Sequence, residues 1–189
     1  MGQRLNIEIM SNDSVLANAY YHWSAYTRSA LYLTKEIVAA FDSVNEETDL
    51  KKAIRLLELT GAGVNSSERM RIDNDVTGKF AGIEFKDCIN RNEGLLAVTK
   101  EGIDETRYWE EGRVTIHLDT HTINFDVLWY IDAEIYEEEY EESAEDIPLV
   151  DDFDFTHISF KDLYKLVGLI DTHTDGVRFA DGAIVRWIE

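Results

Sequence analysis

One cysteine, one proline and no apolar run of membrane-spanning length set the first limits on this chain. The lone Cys88 excludes an internal disulfide and fits a reducing compartment. A bilayer span needs roughly 18 or more consecutive apolar residues, and none is present. The opening MGQRLNIEIM alternates polar and apolar residues, which reads as a strand and not as a secretory leader. A cytoplasmic protein is therefore expected. Bases are scarce as well: 18 Lys and Arg stand against 38 Asp and Glu, for a net charge of −20. Such a field repels nucleic acid and anionic lipid and attracts cations over about a Debye length. Direct contact with nucleic acid or membrane is not expected.

Reaction signatures are missing too. There is no G-x-S-x-G, no Walker A and no G-x-G-x-x-G. Gly61-x-Gly63 follows a helical pattern instead of a strand, so it reads as a helix stop. Cys88 follows Lys86 and Asp87, but a lone cysteine is far more often a small buried hydrophobe than a nucleophile. Nothing here identifies a reaction or a cofactor, so a non-enzymatic protein is the expectation.

What is present is a foldable body. At 189 residues with 44% hydrophobic and 11% aromatic content, the chain has enough apolar surface for a core without disulfide or metal support. No composition shift or Gly/Pro/Ser-rich linker interrupts it, which predicts one domain over 1–189 with an acidic segment at 132–154.

Leu5, Ile7 and Ile9 alternate with Asn6 and Glu8, a half-buried strand. Ser11-Asn12-Asp13-Ser14 supplies a turn, and a return strand places Val15, Ala17, Ala19, Tyr21 and Trp23 on one face. Helices are predicted from Thr27 or Ser24 to about Phe41 and from Asp49 to Leu59. Val64 to Gly82 reads as loop, and Ile83–Phe85 and Leu95–Val98 as short strands. Thr99 can cap a helix ending near Gly112. Val114, Ile116 and Leu118 then alternate with polar residues, and after the turn at Asp119–Thr122 every odd position from Ile123 to Ile135 is apolar. This predicts a long hairpin whose second strand runs into the acidic segment. Ser159-x-x-Asp162 starts a helix to about Ile170, and an Asp181-Gly182 turn joins a terminal hairpin. Leu118-Asp-Thr-His-Thr and Ile170-Asp-Thr-His-Thr both read as turns. The fold class is α+β, a mainly antiparallel sheet built from hairpins with three or four helices packed on it.

Three constellations could carry function. The first is Asp132–Asp154, with twelve carboxylates and no Lys, Arg or His. Its partner-binding candidates are Glu134, Glu137, Glu138, Glu139, Tyr140, Glu141, Glu142, Glu145, Asp146, Asp151, Asp152 and Asp154. As a helix, Asp132–Glu145 would spread its carboxylates over roughly 20 Å, close to the charge density of one DNA strand at about 3.4 Å per phosphate. Tyr136, Tyr140, Ala144 and Ile147 would be its docking stripe. The bland alternative is a solvated charged loop. The second constellation is the aromatic cluster from Tyr20 to Tyr26, a ligand or protein contact surface or plain core. The third is His117, Asp119 and His121, which would ligate a divalent metal on a continuous strand but would be splayed by a turn.

The run Glu137-Glu138-Glu139-Tyr140-Glu141-Glu142 resembles the acidic inhibitors that phages and mobile elements encode against DNA-acting defences, the anti-restriction and anti-CRISPR proteins. The resemblance covers that segment alone. It implies a DNA-mimic-like binding protein whose partner is the basic surface of a DNA- or RNA-handling protein. A homo-oligomer is compatible with the sequence.

Overall fold

The computed structural model describes residues 4–22, 24–25, 27–63, 94–108, 110–127, 130–132, 143–150, 157–173, 176–179 and 183–185. β1 (Leu5–Ser11) and β2 (Ser14–Tyr21) form the expected first hairpin. Its turn residues Asn12 and Asp13 have φ of 49° and 61°, the left-handed pair that a type I′ turn requires and that Asn and Asp tolerate. A bulge follows, because Ile9 faces Ala17 while Met10 faces Val15. Leu16 is the extra residue, and it packs against the core in the place that simple alternation assigns to Val15.

Further strands are β3 (Ala62–Gly63), β4 (Gly94–Ala97), β5 (Gly112–His117), β6 (Thr122–Val127), β7 (Tyr130–Asp132), β8 (Leu149–Val150), β9 (Ile158–Ser159), β10 (Val177–Phe179) and β11 (Ala183–Val185). They form a seven-stranded sheet of order β3-β4-β2-β1-β5-β6-β9 and a four-stranded sheet of order β7-β11-β10-β8. Among the described residues, β1–β5, β3–β4 and β8–β10 pair in parallel and the other six pairings are antiparallel. The fold is α+β with a mostly antiparallel sheet, as the sequence pattern predicts.

The helices begin where side-chain caps can satisfy free amides. α1 covers Thr27–Ala40. α2 (Asp49–Glu58) starts at Thr48, whose hydroxyl accepts from the Lys51 amide at 3.2 Å, and the chain leaves it through Gly61 at φ 83°. α3 (Lys100–Arg107) starts at Thr99, which accepts from the Gly102 amide. It stops short of the predicted end because the Arg4 carbonyl takes the Glu111 and Gly112 amides into the sheet. α4 (Phe160–Thr172) starts at Ser159, whose hydroxyl accepts from the Asp162 amide and donates to its carboxylate. The second Asp-Thr-His-Thr is thus not a turn: Asp171 and Thr172 end α4, and the Thr172 hydroxyl bonds back to the Gly168 and Leu169 carbonyls.

One core joins these elements. Leu5, Ile7 and Ile9 meet Leu31 and Ile37 of α1, Ile54 and Leu57 of α2, and Leu163 and Leu166 of α4 in a single buried cluster. Each such side chain stabilises the fold by roughly 1.5–3 kcal/mol. Val177 of β10 belongs to the same cluster.

The described parts of the long second strand predicted from Ile123 onward pair in two different sheets. Thr122–Val127 pairs with β5, ending at Val127 opposite Gly112. Tyr130–Asp132 pairs instead with β11 in the other sheet. The predicted loop at Val64–Gly82, the strand at Ile83–Phe85 and Cys88 lie outside the described residues. Among the described residues no helix is long and apolar enough to cross a membrane.

Gly94 marks the tightest contact in the sheet. A Cβ there would stand 2.6 Å from the Tyr21 ring and 2.9 Å from the Ala62 Cα, and the Tyr21 hydroxyl is tied to the Thr60 hydroxyl. The ring cannot yield easily. Gly94→Ala is expected to destabilise the fold by about 1–3 kcal/mol in urea unfolding, the usual cost of overpacking.

Candidate functional site

The alternation that buries Leu5, Ile7 and Ile9 sends Asn6 and Glu8 to the opposite face of the sheet. Because β1 is an interior strand, that face is lined on both sides. One row across it is Tyr20, Asn6, Arg113 and Asp126, and the next is Asn18, Glu8, Thr115 and Asn124. Asn6, Asn18 and Tyr20 are 0% exposed and Glu8 is 1% exposed. Buried polar groups of this kind need partners, and α3 with the turn after it supplies them. Asn6 donates to the Thr106 carbonyl at 3.3 Å and to the Glu110 carboxylate at 2.9 Å. Asn18 donates to the Asn6 amide oxygen at 3.0 Å and to the Thr106 hydroxyl at 2.7 Å.

Charged pairs frame this network. Arg107 grips Glu8 through two nitrogens at 2.5 and 2.8 Å. Arg113 forks onto Glu110, and Arg4 onto Glu111 at 3.1 and 3.0 Å. The carboxylate bonds raise the pKa of all three guanidiniums, and the Arg4 bond holds Glu111 below its ordinary value. Glu110, Glu111, Gly112, Arg113 and Asp126 line an open cleft of about 310 Å³ at the margin of this face.

The described part of the aromatic cluster adjoins it. The Tyr20 hydroxyl bonds His22 Nδ1 at 2.9 Å, and burial followed by the Arg4 charge lowers the His22 pKa. Tyr20 and Tyr21 are both buried, so they serve the two faces of the core. Trp23 and Tyr26 lie outside the described residues.

His117, Asp119 and His121 are not brought together. His117 ends β5, Asp119 is in the turn, and His121 has φ 55°. The His121 ring stacks on Phe160 at 5.3 Å and meets Phe41 edge-on at 4.9 Å. Among the described residues no group of three or more His, Cys, Asp or Glu could hold a metal. The turn splays the set, and His121 works as an aromatic spacer between α1 and α4.

The acidic segment is described at Asp132 and from Ser143 to Val150. Ser143 caps a 3-10 turn over Ala144–Asp146. Ala144 and Ile147 are buried while Glu145 and Asp146 are exposed, and Tyr136 and Tyr140 of the predicted stripe lie outside the described residues. The Pro148 carbonyl accepts from the Arg178 amide at 2.9 Å. The strands at either end of this stretch, β7 and β8, are the opposite edges of the four-stranded sheet. Glu134, Glu137, Glu138, Glu139, Tyr140, Glu141, Glu142, Asp151, Asp152 and Asp154 lie outside the described residues.

Sequence reasoning names the acidic segment and passes over Asn6, Glu8, Asn18, Thr106, Arg107 and Arg113. The available signal was weak: polar residues at the even positions of a strand read as a solvated face. No protein-family model, curated protein or solved structure matches the chain.

Two stability measurements follow from the network. Glu8→Ala leaves the Arg107 charge unmatched beside a buried sheet face, and should cost roughly 3 kcal/mol in urea unfolding. Glu111→Gln should cost about 1 kcal/mol at neutral pH. The native carboxyl titrates below its ordinary value of 4.5. The pair's contribution is therefore complete above that value and is lost as pH falls through the native pKa. Thermal unfolding of both proteins across acid pH should show the gap closing there.

Proposed function

We propose that this chain is a non-enzymatic, acidic binding protein that inhibits a DNA- or RNA-handling protein by occupying its basic channel with residues 132–154. The observation that supports this reading is the sign of the charge: twelve carboxylates in that segment with no base among them. Several of the chain's bases are already engaged by other carboxylates. Arg4, Lys51, Arg55, Arg107, Arg113 and Lys165 each stand in an ion pair with a carboxylate of the folded body. Their charge is matched locally, and the segment carries the densest part of the chain's net −20, twelve carboxylates within 23 residues.

The physics of nucleic-acid binding then runs in reverse. A basic channel that receives these carboxylates gives up its own bound anions, so affinity falls steeply with salt. Long-range attraction also speeds encounter, by about 10–10³-fold for well-matched fields. Buried Ala144 and Ile147 tie one described end of the segment to the body, and Asp132 in β7 ties the other. Such tethering would hold the array in place before binding and reduce the entropy lost on association. The role fits the phage and mobile-element inhibitors that the segment resembles.

The test is charge reversal at Glu137, Glu138, Glu139, Glu141 and Glu142, all to Lys. Partner binding should weaken by about 10²-fold or more, with circular dichroism and melting temperature close to wild type. A well-folded variant that still binds and inhibits as before would refute the proposal.

A further inference from the structure

Asp132 at the end of β7 opens the acidic segment, and β8 (Leu149–Val150) lies near its close. Eight of the twelve carboxylates fall between these two strands in sequence. The two strands do not pair with each other. Among the described residues β7 pairs only with β11 and β8 only with β10, in the order β7-β11-β10-β8. We infer that the C-terminal hairpin, β10–β11, is the brace of the acidic segment, a positioning element that fixes how far apart β7 and β8 stand.

Three strand spacings of about 4.8 Å set β7 and β8 about 14 Å apart. Asp132 and Leu149 are 17 positions apart in the chain. A free flexible chain of that length has its ends roughly 20–25 Å apart on average, with a wide spread. The hairpin thus selects one short separation out of many. On one side β11 matches β7 residue for residue, Ala183 with Asp132, Ile184 with Ile131 and Val185 with Tyr130. On the other, β10 sets Arg178 beside Leu149 and Phe179 beside Val150, and the Arg178 amide donates to the Pro148 carbonyl at 2.9 Å.

The brace is itself rooted. Val177 of β10 is fully buried in the main core, and Val150 of β8 packs against that core. Ile184 of β11 is fully buried as well. Moving the hairpin would carry this hydrocarbon into water. Its hold on β8 is through the backbone, because the buried Arg178 Nε finds no hydrogen-bond partner among the described residues. The Arg178 side chain is therefore exchangeable, whereas its amide is not. What the brace does for binding rests on the reading that this segment meets a basic partner: an array whose ends are already set loses less entropy on docking. The brace itself rests only on the strand order.

Double electron–electron resonance on the full chain tests this, with nitroxide labels at Asp132→Cys and Leu149→Cys in a Cys88→Ser background. One narrow distance distribution is expected. Arg178→Ala keeps the amide and should leave that distribution unchanged. Arg178→Pro removes the amide and should widen it about twofold or more. If the proline variant fails to fold, hydrogen exchange of the unsubstituted chain decides: the amides of Tyr130–Asp132, Leu149–Val150 and Arg178 should share one opening rate and one denaturant slope. A broad distribution without the proline, or a folded Arg178→Pro chain that stays as narrow, would overturn the inference. Amides of β7 and β8 that open independently of Arg178 would overturn it too. No partner enters these measurements, so their failure removes the brace and leaves the charge reading standing, while failure of the charge reversal leaves the distances as they are.

Discussion

The period of two along Leu5–Ser11 is the constraint from which the rest of the structure follows. β1 is hydrogen-bonded to β2 on one side and β5 on the other, so neither of its faces can escape into solvent at an edge. Leu5, Ile7 and Ile9 commit one face to the aliphatic core. Asn6 and Glu8 are then committed to the other, where a lone carboxylate or amide would carry a desolvation penalty of several kcal/mol. Arg107, Thr106, Glu110 and Asn18 are the response to that demand. The result is one sheet with two chemistries: an aliphatic cluster on one side, and on the other a set of buried polar groups beside Leu95 and Ala97 that specifies where α3 sits.

Much of this fold was legible because its signals are local. The Asn12-Asp13 turn, the Thr99 and Ser159 caps and the Gly61 stop each involve residues within a few positions of one another. What escaped is what lies far apart in the chain. The parallel β1–β5 pairing joins strands separated by about half the chain, and no local pattern encodes it. That Thr122–Val127 and Tyr130–Asp132 pair in different sheets is likewise invisible in an apolar alternation that runs through both. The polar network is the same case: Glu8 and Arg107 are 99 residues apart, and each alone looks like an ordinary surface charge. The acidic segment was legible for the opposite reason, since composition is visible without any fold.

The two halves of the electrostatics also divide the labour. The pairs Arg107–Glu8, Arg113–Glu110 and Arg4–Glu111 satisfy buried or half-buried groups and are screened less by salt than exposed pairs. The twelve carboxylates of 132–154 make up the largest part of the chain's long-range field, which disfavours compactness through self-repulsion but favours encounter with cations.

The most direct measurement of that claim is affinity capture on the immobilised chain from a nuclease-treated bacterial lysate, washed at about 50 mM and then about 500 mM salt, the range over which phosphate-type contacts lose their strength. The account predicts a single nucleic-acid-handling protein that is retained at low salt, released at high salt and displaced by added DNA. Retention of no protein, or of one indifferent to both salt and DNA, would contradict it.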